Sequence, residues 1–360
     1  MNLTLKRFVI SCSLILALAI VVVPAHARDI TVCAAGCEFD SIQTALTAAN
    51  PAGGDTIRVG AGVFVGPVQV GINVDIVGIN AAVSVVGGGI IVGGVGISVK
   101  VQNLTLTQGL NGLAVLGLSN VIAQDLTIAN NISDGILASD FANVTLFNVT
   151  VADNGLNVLG NPIGAGISLN GGATLTTSVV TVTGNVSAGI AAFGNSTLNL
   201  DAATQILANG VTEGIVPGFG GEGVVVAGSA TANIDGATVS GNGAAGIAVL
   251  ENATADIRNS TVEGNNGAGI RVGGPASVNP DFAATASATI ENNQINGNGS
   301  HGILVGDPAK VLETGTATIN SNGMNNNGGC GLAIDVSGGS SATTTVNFAS
   351  GNAEGDTCEL

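Results

Sequence analysis

The sequence predicts an all-β protein, a parallel β-solenoid with a short N-terminal capping helix. Its 360 residues include 56 Gly and nine Phe but no Trp or Tyr, so an interior of this size must be filled by Val, Ile, Leu and Ala. Hydrophobic residues make up 46% of the chain and charged ones 9%, the reverse of a disordered polyelectrolyte. A glycine followed by an aliphatic residue also recurs at a constant spacing. Small residues that repeat in this way favour stacked coils.

Residues 1–27 are expected to form a secretory signal peptide. Lys6 and Arg7 precede an apolar run over 8–23, and Ala25 and Ala27 are the small residues expected before a cleavage site. The run, at roughly 16 residues, is shorter than the about 20 needed to span a membrane. A lipobox-like stretch ends at Cys12, but few apolar residues separate it from Arg7. We therefore expect a secreted or periplasmic protein, with 28–56 as an N-terminal segment and 57–360 as the solenoid.

The charge of the chain excludes several classes of partner. The formal net charge is −16, and the leader removes two of the eight basic residues and none of the 24 acidic ones. Nucleic acids and anionic membranes need a basic surface that this composition does not offer. A polyanionic substrate would need a metal or a local arginine. The expected partner is a polysaccharide or a cell-surface glycan, and the oligomeric state is left open.

The four cysteines after the leader, Cys33, Cys37, Cys330 and Cys358, lie two near each end of the chain. An even number of cysteines in an exported protein indicates disulfides, and sequence alone allows three pairings. We favour Cys33 with Cys37 and Cys330 with Cys358. A four-cysteine metal site would require the two ends of the solenoid to meet.

The capping helix is predicted over 40–50. Ile42, Ala45, Leu46 and Ala49 share one face, with Asp40 as the expected N-cap and Gln43 three residues later. Such a helix would cover the open end of the first coil, which otherwise invites edge pairing.

The repeat unit has 23 residues. Four of the gaps between successive repeat glycines equal 23 and the others add insertions of 8, 11, 10 and 6 residues; the glycines are Gly112, Gly135, Gly166, Gly189, Gly223, Gly246, Gly269, Gly302 and Gly331. Sixteen residues on, an apolar column contains Ile128, Val151, Val182, Val239, Val262, Ile295 and Met324. Nineteen residues on, an asparagine column contains Asn131, Asn154, Asn185, Asn242, Asn265, Asn298 and Asn327, whereas Asn209 is displaced by one.

Each unit alternates short strands with Gly- or Asn-containing turns, and the units are expected to stack about 4.8 Å apart. Asn tolerates the left-handed backbone region and its amide can bond from coil to coil, so we interpret the asparagine column as a turn ladder.

The chain resembles the right-handed parallel β-helix, or pectin-lyase-like, superfamily. The resemblance lies in DSIQTALTAA at 40–49, GDTIRVGAGVF at 54–64 and the following coils, and it extends from about Cys37 to Asn352. It implies the fold strongly and an activity weakly, because the superfamily includes lyases, hydrolases, esterases, epimerases, tailspikes and adhesins.

The catalytic motifs that the resemblance implies are largely missing. Only Gly299, Ser300, His301 and Gly302 are loosely similar to the Gly-His-Gly of polygalacturonase-like members, and the chain has no Asp-Asp pair and no Tyr. His301 is interpreted as a solvent-facing turn residue. Lys100 and Lys310 are the only lysines available to a lyase-type mechanism. No cofactor and no metal site is expected, and no motif supports calcium.

One group of charged residues keeps the repeat register. Asp235, Arg258 and Glu291 each follow a repeat glycine by 12 residues, allowing for the insertion before Glu291, and Asp256 lies on the same face. The outer carboxylates should be about 9.6 Å apart, at the upper end of the range for an inverting glycosidase, with a guanidinium between them. These three are the candidate catalytic residues. The alternative is a charge ladder in which Arg258 relieves repulsion between acids.

Two insertions, near 275–284 and 307–314, fall in the turn before this strand and would rim the same face. They add Asp281, Asp307, Lys310 and Glu313 to Asp256 as a candidate ligand-binding rim. Phe147, Phe193, Phe219 and Phe282 are the aromatic residues expected to be able to stack on sugar. No threonine column is expected at a constant offset, so an ice- or mineral-binding face is disfavoured.

The sequence thus predicts a secreted, noncatalytic β-helix protein that binds carbohydrate or serves a structural role outside the cell. A polysaccharide lyase or glycoside hydrolase that uses the outer-face carboxylates is the alternative.

Overall fold

The computed structural model describes residues 27–158, 161–210, 220–274, 284–306, 313–336 and 339–360, and the side chains of 156–163 and 313 are left aside. The predicted leader up to residue 26 lies outside these ranges. The described residues form a sheet of 32 strands wound into a solenoid, a hairpin of Leu156–Val158 and Asn161–Ile163, and one helix, Ile42–Ala48. The predicted all-β solenoid with a short N-terminal helix is confirmed.

The strands of the solenoid pair in parallel from coil to coil. In the first part of the chain they are Asp29–Val32, Thr56–Val59, Gly62–Val65, Val68–Val70, Val74–Gly78, Ser84–Gly87, Ile90–Gln102, Thr105–Thr107, Leu113–Ala129, Ile136–Ala138, Asn143–Ala152, Ile167–Leu169, Thr174–Thr183, Ile190–Ala192, Thr197–Leu200 and Gln205–Leu207. In the second part they are Val224–Val226, Thr231–Asp235, Thr238–Ser240, Ile247–Val249, Thr254–Arg258, Thr261–Glu263, Ile270–Val272, Ala284–Glu291, Gln294–Asn296, Ile303–Val305, Glu313–Asn320, Gly323–Asn325, Cys330–Ile334, Ser341–Thr345, Phe348–Ser350 and Gly355–Glu359.

Each coil has strands at three positions, and the stacked strands at each position form one side of the solenoid, called here the first, second and third sheets. In one coil the first sheet receives Ile247–Val249, which follows the repeat glycine, the second sheet Thr254–Arg258 and the third sheet Thr261–Glu263. The register is maintained across the insertion between 272 and 284, since Ile270 pairs with Ile303 of the next coil. The described strands on either side of this insertion therefore stay in step.

The apolar column predicted from the repeat lies in the core. Its members, from Ile128 to Met324, have no more than 2% of their surface exposed. In the coil that begins at Gly189, Ile206 fills the same column and pairs with Val182 and Val239. Leu200 in that coil still pairs with Ile234, so the extra residue lies between positions 200 and 206, at the corner between the second and third sheets.

The asparagine ladder is continuous over nine coils. Asn242 is representative: its Nδ2 donates to Oδ1 of Asn265 at 2.9 Å and to the carbonyl of Ile206 at 3.2 Å, and its backbone N–H donates to the same Oδ1 at 3.1 Å. Asn209 belongs to the ladder. Its displacement by one in the sequence is the extra corner residue of its coil, and the strand after that corner is again in register. The full series is Asn131, Asn154, Asn185, Asn209, Asn242, Asn265, Asn298, Asn327 and Asn352.

The left-handed backbone residue is not the ladder asparagine, as the sequence had suggested, but the residue before it. Ala208 has φ 51°, Gly241 has φ 65° and Gly264 has φ 61°. The two requirements of this turn thus fall on adjacent positions, the left-handed backbone on one and the bonding amide on the next.

The repeat glycine and the ladder asparagine depend on each other. A Cβ on Gly246 would lie 2.7 Å from Nδ2 of Asn265 and 2.6 Å from Cγ1 of Val262, closer than atoms can pack. A glycine in this place therefore leaves the space that the amide of its own coil occupies.

The capping helix begins one residue later than predicted. Ser41 is the N-cap, with φ −132°, and it makes no side-chain cap hydrogen bond, so the predicted cap by Asp40 is wrong. Gln43 does not complete a capping box: its Nε2 donates to the carbonyl of Gln69 at 3.2 Å, and its Oε1 accepts the N–H of Gln69 at 2.7 Å. Ile42, Ala45 and Leu46 are buried as expected, so the helix does cover the first coils.

Asp55 ties the helix to the first strand. Its carboxylate accepts the N–H of Asn50 at 2.8 Å and that of Arg28 at 3.0 Å, and its side chain is 2% exposed. The hydrogen bond from Asn50 lowers the pKa of Asp55 below its ordinary 3.8; burial opposes this, and the Arg28 N–H and guanidinium support it.

Both favoured disulfides are present, Cys33 with Cys37 and Cys330 with Cys358. The first lies beside the capping helix, and the second joins the last two coils, where Cys330 and Cys358 belong to paired strands. Among the described residues no helix has the length and apolar character needed to cross a membrane.

We predict that Asp55→Asn destabilises the protein at neutral pH and has less effect in acid. Because the folded-state pKa of Asp55 is lowered, the ionised carboxylate contributes stability above pH 4 or so, and this contribution is lost as pH falls through the folded-state value. Urea unfolding of both proteins at pH 7 and at pH 3 measures the difference. An Asp55→Asn effect that grows as pH falls would contradict the assignment.

We also predict that Asn265→Ala costs about 3 kcal/mol of stability, because it leaves buried donors of Asn242 unpaired. The neighbouring Asn266 is exposed, so Asn266→Ala is the matched control and should cost less than about 0.5 kcal/mol. Chemical denaturation of the two variants compares them. Equal losses would show that a ladder asparagine contributes no more stability than an exposed asparagine.

Candidate functional site

The outer face of the second sheet carries three columns of side chains, one for each outward position of its strands. The first column is mostly hydroxyl, with Thr197, Thr231 and Thr254 in register. The second contains Asn199, Asn233 and Asp256 in successive coils. The third contains Asp235, Arg258 and Glu291, which pair in register as predicted from the repeat.

Asp201 extends the third column by one coil and was missed by the sequence argument. Leu200 pairs with Ile234, so Asp201 follows at the level of Asp235. The signal was available, because Asp201 follows Gly189 by the same 12 residues that separate Asp235 from Gly223.

An open groove of about 650 Å³ lies on this face. Its polar lining offers hydroxyl, amide and carboxylate groups and belongs to four adjacent coils; the lining residues are Thr176, Thr177, Asn199, Leu200, Asp201, Ala202, Asn233, Asp235, Gly236 and Asn259. The predicted residue Asp235 is thus part of the groove, while Arg258 and Glu291 are not.

The extra residue of the irregular coil shapes one wall of the groove. The corner 201–204 is held by Thr204, whose hydroxyl donates to Oδ1 of Asp201 at 2.8 Å and contacts the hydroxyl of Thr177 at 2.7 Å. The N–H of Asp201 donates to the same Thr177 hydroxyl at 3.3 Å. These bonds fix the Asp201 carboxylate at the edge of the groove.

Asp235 does not contact the Arg258 guanidinium that was expected to lie between the two outer carboxylates. Its Oδ1 accepts the Nδ2–H of Asn259 at 2.7 Å. Among the described residues Arg258 forms ion pairs with Asp256 at 2.9 Å and Glu291 at 3.2 Å, and not with Asp235. Glu291 also accepts the Nδ2–H of Asn320 at 3.1 Å. The guanidinium therefore serves the two acids beside it, the arrangement expected of a charge ladder.

The predicted rim is only partly placed. Asp256 lies next to Arg258, and its second carboxylate oxygen, Oδ1, is buried with no hydrogen bond among the described residues. Asp281, Asp307 and Lys310 lie outside the described residues, and Glu313 begins the strand Glu313–Asn320 with its side chain also outside them.

His301 lies near two potential metal ligands. Ligand atoms of His301, Cys330 and Glu354 come within 4.8 Å of one another, but the sulfur of Cys330 is bonded to Cys358. Nδ1 of His301 accepts the N–H of Cys330 at 3.0 Å. Burial lowers the pKa of His301, and the charge of Glu354 opposes this shift. The half-buried imidazole thus joins its own coil to the next one, which contains Cys330, whereas a solvent-facing turn residue was expected.

Threonine forms a column after all, and the expectation that it would not was wrong. Thr174, Thr197, Thr231 and Thr254 pair directly, each eight residues after a repeat glycine. The neighbouring columns carry carboxylates and Arg258, so the face mixes hydroxyl and charged groups.

Large apolar residues are exposed on the same face on the N-terminal side of the groove. Phe147, in the third column, is 46% exposed, and Ile122, in the second, is 50% exposed. Phe141 lies at the adjoining corner, is 66% exposed and has φ 69°, which is rare for a bulky residue. Phe141 is not among the residues that were expected to stack on sugar, and two that were, Phe219 and Phe282, lie outside the described residues.

A protein-family model described as "Right handed beta helix region" matches residues 62–206 and 211–358. The chain belongs to the right-handed β-helix family. This gives the handedness of the solenoid and confirms the family that the sequence resembles. No curated protein sequence is similar enough to this β-helix to count as a relative.

Solved structures share the fold at low sequence identity. The catalytic unit of an α-1,3-glucanase from Streptomyces thermodiastaticus has a TM-score of 0.52 at 16% identity, over 87% of this chain and 66% of the glucanase unit. The Dettilon tailspike protein has 0.53 at 14%, over 89% of this chain and 64% of the tailspike. A double mutant of a periplasmic alginate epimerase has 0.51 at 13%, over 85% of this chain and 71% of its own. At this level of sequence identity, the similarity shows a shared fold and nothing more.

We predict that Arg258→Gln reduces stability by no more than about 1 kcal/mol, because the three side chains of its ion pairs are 30% to 42% exposed. The loss should shrink at high salt and in the double variant Arg258→Gln/Glu291→Gln, which removes one of the two repelling acids. Denaturation midpoints at low and high salt test this. A loss that is large and independent of salt would count against the charge ladder.

Proposed function

We propose that this β-helix is a secreted, noncatalytic protein that binds a polysaccharide in the groove on its second sheet. The observation that supports it is the groove itself, where amide, hydroxyl and carboxylate groups from four coils face one depression of about 650 Å³. Its strands are held in register by the ladder, so these groups are positioned before a ligand arrives.

The chemistry of the lining suits sugar hydroxyls. The amides of Asn199 and Asn233 can donate and accept, while the carboxylates of Asp201 and Asp235 accept. Asn233 is exposed, so its amide can contact a ligand. The carboxylate of Asp235 is held in one orientation by Asn259. Phe147, further along the face, could add an apolar contact to a sugar ring.

Two further facts support an extracellular polysaccharide ligand. The structurally similar glucanase and alginate epimerase are named for reactions on polysaccharides. The two disulfides fit an oxidising compartment, as does the predicted signal peptide.

Catalysis through Asp235, Arg258 and Glu291 is the second candidate. It is favoured by the position of these residues in one column. It is disfavoured by the ion pairs that engage Arg258 with Glu291 and Asp256, away from the groove. Assays for new reducing ends or unsaturated uronates would detect an activity, and its loss in Glu291→Gln would assign it.

The binding proposal is tested by titrating the protein with a panel of neutral and acidic oligosaccharides in a calorimeter. Asn233→Ala removes an exposed amide from the groove and should weaken binding about tenfold, the effect of one lost hydrogen bond. Thr261→Ala, on the third sheet, is the matched control and should bind like the wild type. Binding that resists Asn233→Ala, or no binding to any member of the panel, would contradict the proposal.

A further inference from the structure

We infer that the groove selects polysaccharides without carboxylate or sulfate groups and rejects polyuronates. This inference rests on the proposed binding function and names its ligand class. It follows from the ion pairs that the arginines of the second sheet form with neighbouring acids.

The groove contains two carboxylates and no cation among its lining residues. Asp235 receives one hydrogen bond from the neutral amide of Asn259, and Asp201 receives one from the hydroxyl of Thr204. Neither contact neutralises the charge. An anionic sugar in the groove would face both carboxylates, whereas a sugar hydroxyl can donate to them.

The basic residue next to the groove is already engaged. Arg258 stacks directly on Asp235, but its guanidinium lies 2.9 Å from Asp256 and 3.2 Å from Glu291. Turning it towards a uronate would leave two carboxylates of adjacent coils without their counter-charge. The arginine that a polyanionic ligand would require is therefore not available.

The other described basic residues of the second sheet, Arg58 and Lys100, each have an acid on a paired strand, and Arg58 forms an ion pair with its acid. Nε of Arg58 lies 2.7 Å from Asp29, and Lys100 lies beside Asp75 on the paired strand. Between Lys100 and the groove the outward positions include Ile122 and Phe147, which are apolar. Between Lys100 and the groove, a uronate chain on this face would thus meet apolar and neutral polar groups and no cation among the described residues.

The experiment compares each neutral oligosaccharide that binds with the same compound after its primary alcohols have been oxidised to carboxylates. The pair shares its linkages and differs in charge. We expect the neutral form to bind at least tenfold more tightly at low salt, and we expect the ratio to fall as salt screens the repulsion. The double variant Asp201→Asn/Asp235→Asn should reduce the ratio, whereas Glu263→Gln, an exposed acid on the third sheet, should leave it unchanged.

Three results would overturn the inference. These are equal binding of the two forms, binding by uronates alone, and uronate binding that appears when Ca²⁺ is added. Failure of every oligosaccharide to bind would instead contradict the proposed function, so the two failures are distinguishable.

Discussion

The structure depends on the fit between each repeat glycine and the ladder asparagine of the same coil. The amide of Asn265 occupies the space that a side chain on Gly246 would take, and it bonds the coils on either side. Since every buried amide needs the one above it, a change of length inside a coil would leave donors unpaired in several coils. Among the described residues, the extra residue of the coil that begins at Gly189 accordingly lies at a corner.

This constraint separates the interior from the surface. Inward positions must be small aliphatics that stack on their like, so the interior accepts little variety. Outward positions of the second sheet are free of that demand, and there the chain places hydroxyls, amides, carboxylates and Arg258 in columns about 4.8 Å apart from coil to coil. A surface of this kind has the regular spacing of a polymer, which is why its function is sought along the face and not in a deep cavity.

The repeat made the fold readable, because a period that survives insertions can come only from stacked units. Columns such as Ile128 to Met324 followed directly, as did the register of Asp235, Arg258 and Glu291. The contacts did not follow, since a column position does not say which neighbour a side chain selects: Arg258 has acids available in its own coil and in both adjacent coils. Asp201 was missed because one extra residue hid its coil, and Ser41 replaced Asp40 as the N-cap because cap geometry depends on the local backbone.

The Cys330–Cys358 bond has a consequence for how the molecule comes apart. Each coil of the stack contacts only the coils next to it, so the solenoid can unfold coil by coil from its ends. A terminal coil has a partner on one side alone. The bond fastens the last coil to the one before it, and Cys33–Cys37 lies beside the helix at the other end. Fraying from the C-terminal end must then release two coils together, a much rarer event than losing one, and a protease that needs an unfolded end would find few to cut.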